Sequence, residues 1–187
     1  MLLARQRLIE GCAAFAAFTL TIPVANWMIG QVGTTCVPAG PCLIPVAPGL
    51  MAPSGVVMAG LALVLRDLVQ RRLGFWAGVV AIAVGGLISM VLAPAAIVVA
   101  SATAFLLSEL ADLLVYTPLQ RRHFVWAVVL SSTVGLAIDS AIFLQLAFGS
   151  QAYLPGQIVG KLWMVLIAIP ALAWLRRRDD RIGLQPA

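Results

Sequence analysis

The sequence predicts an all-α integral membrane fold of six transmembrane helices with both termini in the cytoplasm. Three observations carry that expectation. The 187 residues are 62% hydrophobic and only 10% charged, far from the roughly 45–50% and 25% of soluble domains. Six apolar stretches have the ~20-residue length that a spanning helix needs. The arginines cluster at one side of the bundle those stretches would form. With so few polar residues, disorder and a coiled coil are excluded, and three cysteines do not make a disulfide scaffold. The formal charge of +5 is read from its placement and calls for no nucleic-acid partner.

The six stretches run approximately over residues 8–29, 50–68, 75–92, 95–116, 124–148 and 154–175, within a single domain of residues 1–187. Runs such as Ala77 to Val84 do not alternate in polarity, as strands of a membrane barrel would. The first stretch follows Arg5 and Arg7. It exceeds the 7–15 residues of a signal-peptide core and lacks a clear small-x-small cleavage site, so it is taken as the first span. Arg71 and Arg72, then Arg121 and Arg122, then Arg176, Arg177, Arg178 and Arg181 fall on the same side as Arg5 and Arg7. The opposite connections, Gln31–Gly49, Ala93–Pro94 and Gly149–Tyr153, carry no charge. The excess of Lys and Arg in cytoplasmic loops then sets the orientation.

The outward connection Gln31–Gly49 holds Pro38, Pro41, Pro45 and Pro48, and also Cys36 and Cys42. These two cysteines are close enough for a small disulfide-closed loop in an oxidising compartment; two unpaired thiols are the alternative. Cys12, inside the first span, reads as a small packing residue. A single histidine, His123, reads as a loop residue, and no metal centre is expected. Close helix contacts are expected where small residues recur every four positions, at Ala81, Gly85 and Ser89 and again at Ala100, Ala104 and Ser108. Pro23 and Pro170 are candidate kinks.

Charged groups inside a bilayer are costly, so those present are the first functional candidates. Asp139 lies ~14 Å inward from the outer end of its span at Phe148, and Lys161 ~10 Å inward from Leu154. The two spans share a short loop and must be antiparallel, so an Asp139–Lys161 ion pair is natural. Glu109 lies ~21 Å below Ala95 with Asp112 one turn deeper on the same face, and Arg66 at similar depth can pair with either. A structural salt bridge that fixes register is one reading of Asp139 and Lys161. Arg66, Asp67 and Asp112 are read as gating or structural ion pairs.

The functional reading is a polar cavity between helices. Asn26, Thr19, Phe105, Glu109, Ser132, Gly135, Asp139, Gln157 and Lys161 would line it, with Trp27, Phe143 and Trp163 as flat walls. Trp27 serves equally as an interfacial belt residue. Carboxylate, amide and ammonium groups against aromatic faces suit a planar heterocycle that stacks and is read at its edge. A carboxylate accepts two parallel N–H donors, as a guanine-like ring presents.

The segment from Ala100 to Gly149, ASATAFLLSELADLLVYTPLQRRHFVWAVVLSSTVGLAIDSAIFLQLAFG, resembles the bacterial queuosine-precursor transporter family, also called the vitamin uptake transporter family. The resemblance rests on Ser108, Glu109, Leu110, Asp112, Val115 and Tyr116, and then on Ser131, Ser132, Gly135, Ile138, Asp139, Ser140, Phe143, Ala147 and Phe148. Weaker echoes are Asn26, Asp67 before Gly74, and Lys161. It implies a six-helix transporter in the bacterial inner membrane, similar in architecture to substrate-binding components of energy-coupling-factor transporters. Its purine-like cargo would be a 7-deazaguanine precursor of queuosine, such as 7-cyano-7-deazaguanine, 7-aminomethyl-7-deazaguanine or queuine, feeding tRNA modification. It also implies that Asn26, Asp67, Glu109, Asp112, Asp139 and Lys161 are cavity or gating residues. The run from Ala59 to Asp67 and the proline-rich outer loop depart from the family pattern.

No nucleotide-binding loop is present, so the chain itself is not expected to hydrolyse ATP. Nor is an enzyme expected, because Ser131, Ser132 and Cys12 have no histidine at a matching depth to activate them, and no cofactor is implied. Two rivals stay open: a vitamin-binding subunit that works with a separate ATPase module, and a non-transport membrane assembly protein. A homo-oligomer is a further open possibility.

Overall fold

A computed structural model describes residues 2–38, 40–93, 95 and 97–187, with the side chain of Leu2 excepted. Pro94, half of one expected outer connection, lies outside the described residues. The chain forms α1 (Leu2–Gln31), a three-stranded antiparallel sheet of β1 (Thr35–Cys36), β2 (Cys42–Ala47) and β3 (Leu50–Pro53), and then five more helices. These are α2 (Val56–Leu73), α3 (Phe75–Leu92), α4 (Val98–Leu119), α5 (Phe124–Phe148) and α6 (Leu154–Ile182).

Five of the six helices are long and apolar enough to cross a membrane by length and composition. The exception is α2, whose 18 residues include Arg66, Asp67, Arg71 and Arg72. Yet α2 is the centre of the bundle and touches every other helix. One apolar cluster joins it to α4, α5 and α6 through Leu63, Val64, Tyr116, Phe124, Val128 and Val165. A second joins it to α1 and α3 through Phe18, Ile22, Ala62, Val69 and Ala81. A helix surrounded by protein can carry charges that lipid would reject, provided each finds a partner.

The outer surface has the opposite character. Leu20, Val91, Leu114 and Ile167 are among many large apolar side chains that face outward, far more apolar exposure than a water-soluble monomer tolerates. All five tryptophans face out. Three of them, Trp76, Trp126 and Trp174, lie at the arginine-rich end of the bundle, where indole rings suit a membrane interface. The protein is a multi-pass membrane protein.

Helix ends differ from the sequence expectation for identifiable reasons. The apolar run Leu50–Pro53 is strand, not helix, so the second helix begins at Val56 and extends five residues past Leu68 to Leu73. It stops at Gly74, which adopts φ 95°; only glycine takes that conformation without strain, so α3 can start one residue later. The sixth helix continues through the arginines to Ile182, and the fourth runs Val98–Leu119 rather than 95–116. Arg71 and Arg72 are therefore buried helix residues rather than loop charges. Both α1 and α6 continue as helix through Pro23 and Pro170.

The sheet was not foreseen. The sequence marks residues 31–49 as a proline-rich connection; Cys36 and Cys42 stand opposite each other across β1 and β2 and are disulfide-bonded. The sheet seats on α6 at Gly156, where an added Cβ would collide with the Met51 carbonyl oxygen, and Trp163 donates its indole N–H to the Val46 carbonyl at 3.0 Å. Cys12 is exposed, so the expectation of a packing role is corrected: it lies on the lipid side of α1. The small-residue stripes of α3 and α4 are buried. Gly85 admits the edge of Phe105, because a Cβ there would fall 2.5 Å from the ring.

Candidate functional site

A cavity of about 130 Å³ lies between the sheet-side halves of all six helices, beneath the sheet. From α1 come Thr21, Ile22 and Asn26; from α2, Val56, Met58, Ala59 and Ala62; from α3, Ser89; from α4, Ser101, Phe105, Ser108 and Glu109; from α5, Asp139 and Phe143; from α6, Gln157 and Lys161. The walls are mainly apolar, and the polar groups are few and converge, as in small-molecule sites generally.

Several of these polar groups are oriented by their own helix. Thr21 Oγ1 donates to the Phe18 carbonyl at 2.6 Å, Ser108 Oγ to Phe105 at 3.0 Å, and Asn26 Nδ2 to Ile22 at 3.0 Å. With those protons engaged, Thr21 and Ser108 offer the cavity acceptor oxygen, while Asn26 keeps its amide oxygen and a second N–H. Phe105 is held from behind by Phe18, with ring centroids 6.1 Å apart, and Phe143 by an edge-on contact with Phe148 at 5.7 Å.

Lys161 is brought close by Gly60, where a Cβ would meet the Lys161 carbonyl oxygen at 2.6 Å. Its ammonium pairs with Asp139 and donates to Ser140 Oγ and Gln157 Oε1, both at 2.8 Å. Three acceptors saturate its three protons. Lys161 therefore holds other groups in position and has no proton left for a ligand. Because the Gln157 carbonyl oxygen faces the ammonium, its amide Nε2 points away and is the donor this corner offers.

Glu109 forms the floor. Its Oε2 accepts from Arg66 Nε at 3.0 Å, leaving Oε1 toward the cavity. Below it lies a sealed ionic cluster. Arg66, fully buried, also reaches Asp67 Oδ1 at 3.1 Å, pairs with Asp112, and donates to Gln70 Oε1 at 3.0 Å. Ser131 Oγ donates to Asp67 Oδ2 at 3.2 Å, and the ring of Tyr116 lies under the guanidinium at 5.8 Å.

A third layer closes the arginine-rich end. Arg72 grips Asp179 with two nitrogens at 2.8 and 2.9 Å and reaches Glu10 at 2.9 Å, while Arg178 reaches Glu10 at 2.8 Å. These pairs tie α1, α2 and α6 together. Among the described residues, no group of His, Cys, Asp and Glu is arranged to hold a metal ion.

The structure thus brings Asn26, Phe105, Glu109, Asp139, Phe143, Gln157 and Lys161 to one cavity and puts Arg66, Asp67 and Asp112 directly beneath it. Trp27 does not belong there: it is 59% exposed, since one residue past Asn26 the helix has turned ~100° toward lipid. Ser132 is buried in α5 but sits two turns, ~10 Å, below Asp139, under the cavity floor. Gly135 is likewise below, packed on Leu63 and Asp112. Trp163 is half exposed and holds the sheet instead, and Thr21, not Thr19, faces inward.

Sequence reasoning also missed Glu10 and Asp179. The available signal was charge balance, because the acids at the arginine-rich end are Glu10, Asp179 and Asp180 alone. A family model described as "Putative vitamin uptake transporter" matches residues 55–175, a region that contains Arg66, Glu109, Asp139 and Lys161 but neither α1 nor the sheet. No curated protein and no solved structure matches the chain.

Proposed function

Because the chain belongs to the vitamin uptake transporter family, we propose that it is a six-span carrier of the bacterial inner membrane, with both termini cytoplasmic, that imports a 7-deazaguanine base by alternating access. The observation that carries this reading is the cavity floored by Glu109 and walled by Phe105 and Phe143. At about 130 Å³ it is small beside the roughly 300–1,000 Å³ of sites for drug-sized ligands, so it suits one compact ring system. The ring would slide between the aromatic faces. Its N1–H and 2-amino donors would meet the Glu109 carboxylate through Oε1 and the remaining lone pair of Oε2, while Gln157 Nε2 donates to the ring carbonyl.

The vertical arrangement supports alternating access. The cavity occupies the half of the bundle under the sheet, and the other half is closed first by the Arg66 cluster and then by the Arg72–Asp179–Glu10 pairs. That is the layout of a carrier open to one side only, with Glu109 belonging both to the cavity and to the barrier beneath it.

Uptake of labelled 7-cyano-7-deazaguanine by cells unable to make queuosine tests the reading. Cells carrying the wild-type chain are expected to accumulate the base. Glu109→Gln, which keeps shape and loses the charge, is expected to reduce uptake at least tenfold with unchanged membrane insertion, whereas lipid-facing Trp27→Leu leaves it unaltered. Equal uptake by Glu109→Gln and wild type would remove the proposed floor.

A further inference from the structure

The cluster below the cavity is unbalanced. One guanidinium, Arg66, faces three carboxyl groups, Asp67, Glu109 and Asp112, all of them buried. Full ionisation would leave two uncompensated negative charges inside the bundle, and an uncompensated buried charge costs several kcal/mol. The neighbouring elements supply nothing to offset them. On α5, Ser131 donates one hydrogen bond. Asp139 and Lys161 neutralise each other. Arg71 is taken up by Asp179 and the face of Phe124.

Hydrogen bonding points to where the missing positive charge resides. Two buried oxygens of the cluster accept no hydrogen bond, Asp67 Oδ1, which has only an ion-pair contact with Arg66, and Asp112 Oδ2; the fully buried Tyr116 hydroxyl is also unpartnered. The two oxygens belong to carboxyls held on one guanidinium, Asp67 at Nη1 and Asp112 at Nη2 of Arg66. Three buried carboxyls on one guanidinium cannot all stay charged, and a proton on Asp67 or Asp112 removes one excess charge at the place where two oxygens lack a donor. A metal ion is a poorer occupant, because the guanidinium fills the centre where its ligands would have to converge.

We propose that the Asp67–Asp112 carboxyl pair is a proton-binding site, linked through Arg66 to Glu109 and so to the occupancy of the cavity. The linkage is geometric. Arg66 spends Nε on Glu109 and Nη2 on Asp112, so a ligand that draws Glu109 into the cavity loosens one end of a fork whose other end sets the charge of the pair. With a proton on the pair the excess falls from two negative charges to one and the barrier can rearrange; without it the carboxyls hold Arg66 fast. A solute entering with that proton would be driven by a proton gradient. This last step rests on the carrier reading, but the protonated pair does not.

Infrared spectroscopy of the purified protein in lipid nanodiscs tests the site itself. At neutral pH the wild type is expected to show the C=O stretching band of a protonated carboxylic acid, reduced or lost in Asp112→Asn and in Asp67→Asn. A wild-type spectrum without that band overturns the proposal, whether or not either variant folds. Coupling is read in vesicles that contain the protein and an entrapped pH dye. Addition of labelled 7-cyano-7-deazaguanine outside is expected to acidify the interior as the base enters, and Asp112→Asn to abolish the acidification. Entry of the base with no change in internal pH overturns the linkage. If no base enters at all, the carrier reading fails while the infrared band still decides the site.

Discussion

Lys161 shows how a buried charge is tolerated. Its ammonium is almost fully buried and meets three acceptors, one of them a carboxylate that is 21% exposed toward the cavity. Removing one partner of a buried pair typically costs about 3–5 kcal/mol, whereas replacing both by uncharged groups is often close to neutral. Asp139→Asn alone, leaving Lys161 charged, is therefore expected to destabilise the protein by about 3 kcal/mol, the low end of that range because Asp139 is partly exposed. The double change Asp139→Asn with Lys161→Met is expected to recover most of the loss. Thermal unfolding of the three variants in detergent checks this, and a double variant no more stable than Asp139→Asn would show that the pair is not the unit of stability.

Residue depth was legible in the chain, and residue direction was not. The level shared by Asp139 and Lys161 follows from the short connection between their helices and the rise per residue. The side a residue faces is harder, because lipid and protein interior are both apolar and a spanning helix need not have a polar face. Hence Asn26 was placed in the cavity together with its neighbour Trp27, which faces lipid, and Ser132 was placed there on a correct face but at the wrong height.

At the scale of elements, the sheet is the part with least warning in the sequence. Its strands are short, two contain proline, and Leu50–Pro53 continues the hydrophobicity of the helix that follows. What stabilises the sheet is tertiary: the cross-strand disulfide, the seat at Gly156 and the Trp163 hydrogen bond. The helices, by contrast, were readable because each is an apolar run closed by glycine, proline or arginine.

The disulfide closes a loop of seven residues, Cys36 to Cys42, for which chain entropy gives about 2 kcal/mol. Replacing both cysteines by serine is expected to lower the thermal midpoint by a few degrees and to raise protease cleavage within residues 33–49, with the helices left intact. An unchanged cleavage pattern would mean that packing on α6 alone holds the sheet. Intact mass measured with and without reductant verifies the bond.

Across the whole molecule, charge is sorted by depth. The arginine-rich end holds Glu10 and Asp179 in a network that joins α1, α2 and α6; the middle holds the Arg66 cluster; the cavity above is lined by the neutral Asp139–Lys161 pair and by Glu109. The composition announced a membrane protein and the arginines announced an orientation. That the one helix without a long uncharged stretch stands at the centre was not readable, because four charges in 18 residues resemble the end of a span until their partners on α1, α4 and α6 are known.

Ser101 lies on the cavity wall and accepts cysteine with little change in size. In a Cys12→Ser background that keeps the Cys36–Cys42 bond, Ser101→Cys is expected to react with a membrane-impermeant maleimide added from the outer side, and saturating 7-cyano-7-deazaguanine is expected to slow that reaction at least fivefold. Labelling at the same rate with and without the base, or reached only from the cytoplasmic side, would contradict an outward-facing cavity that holds the cargo.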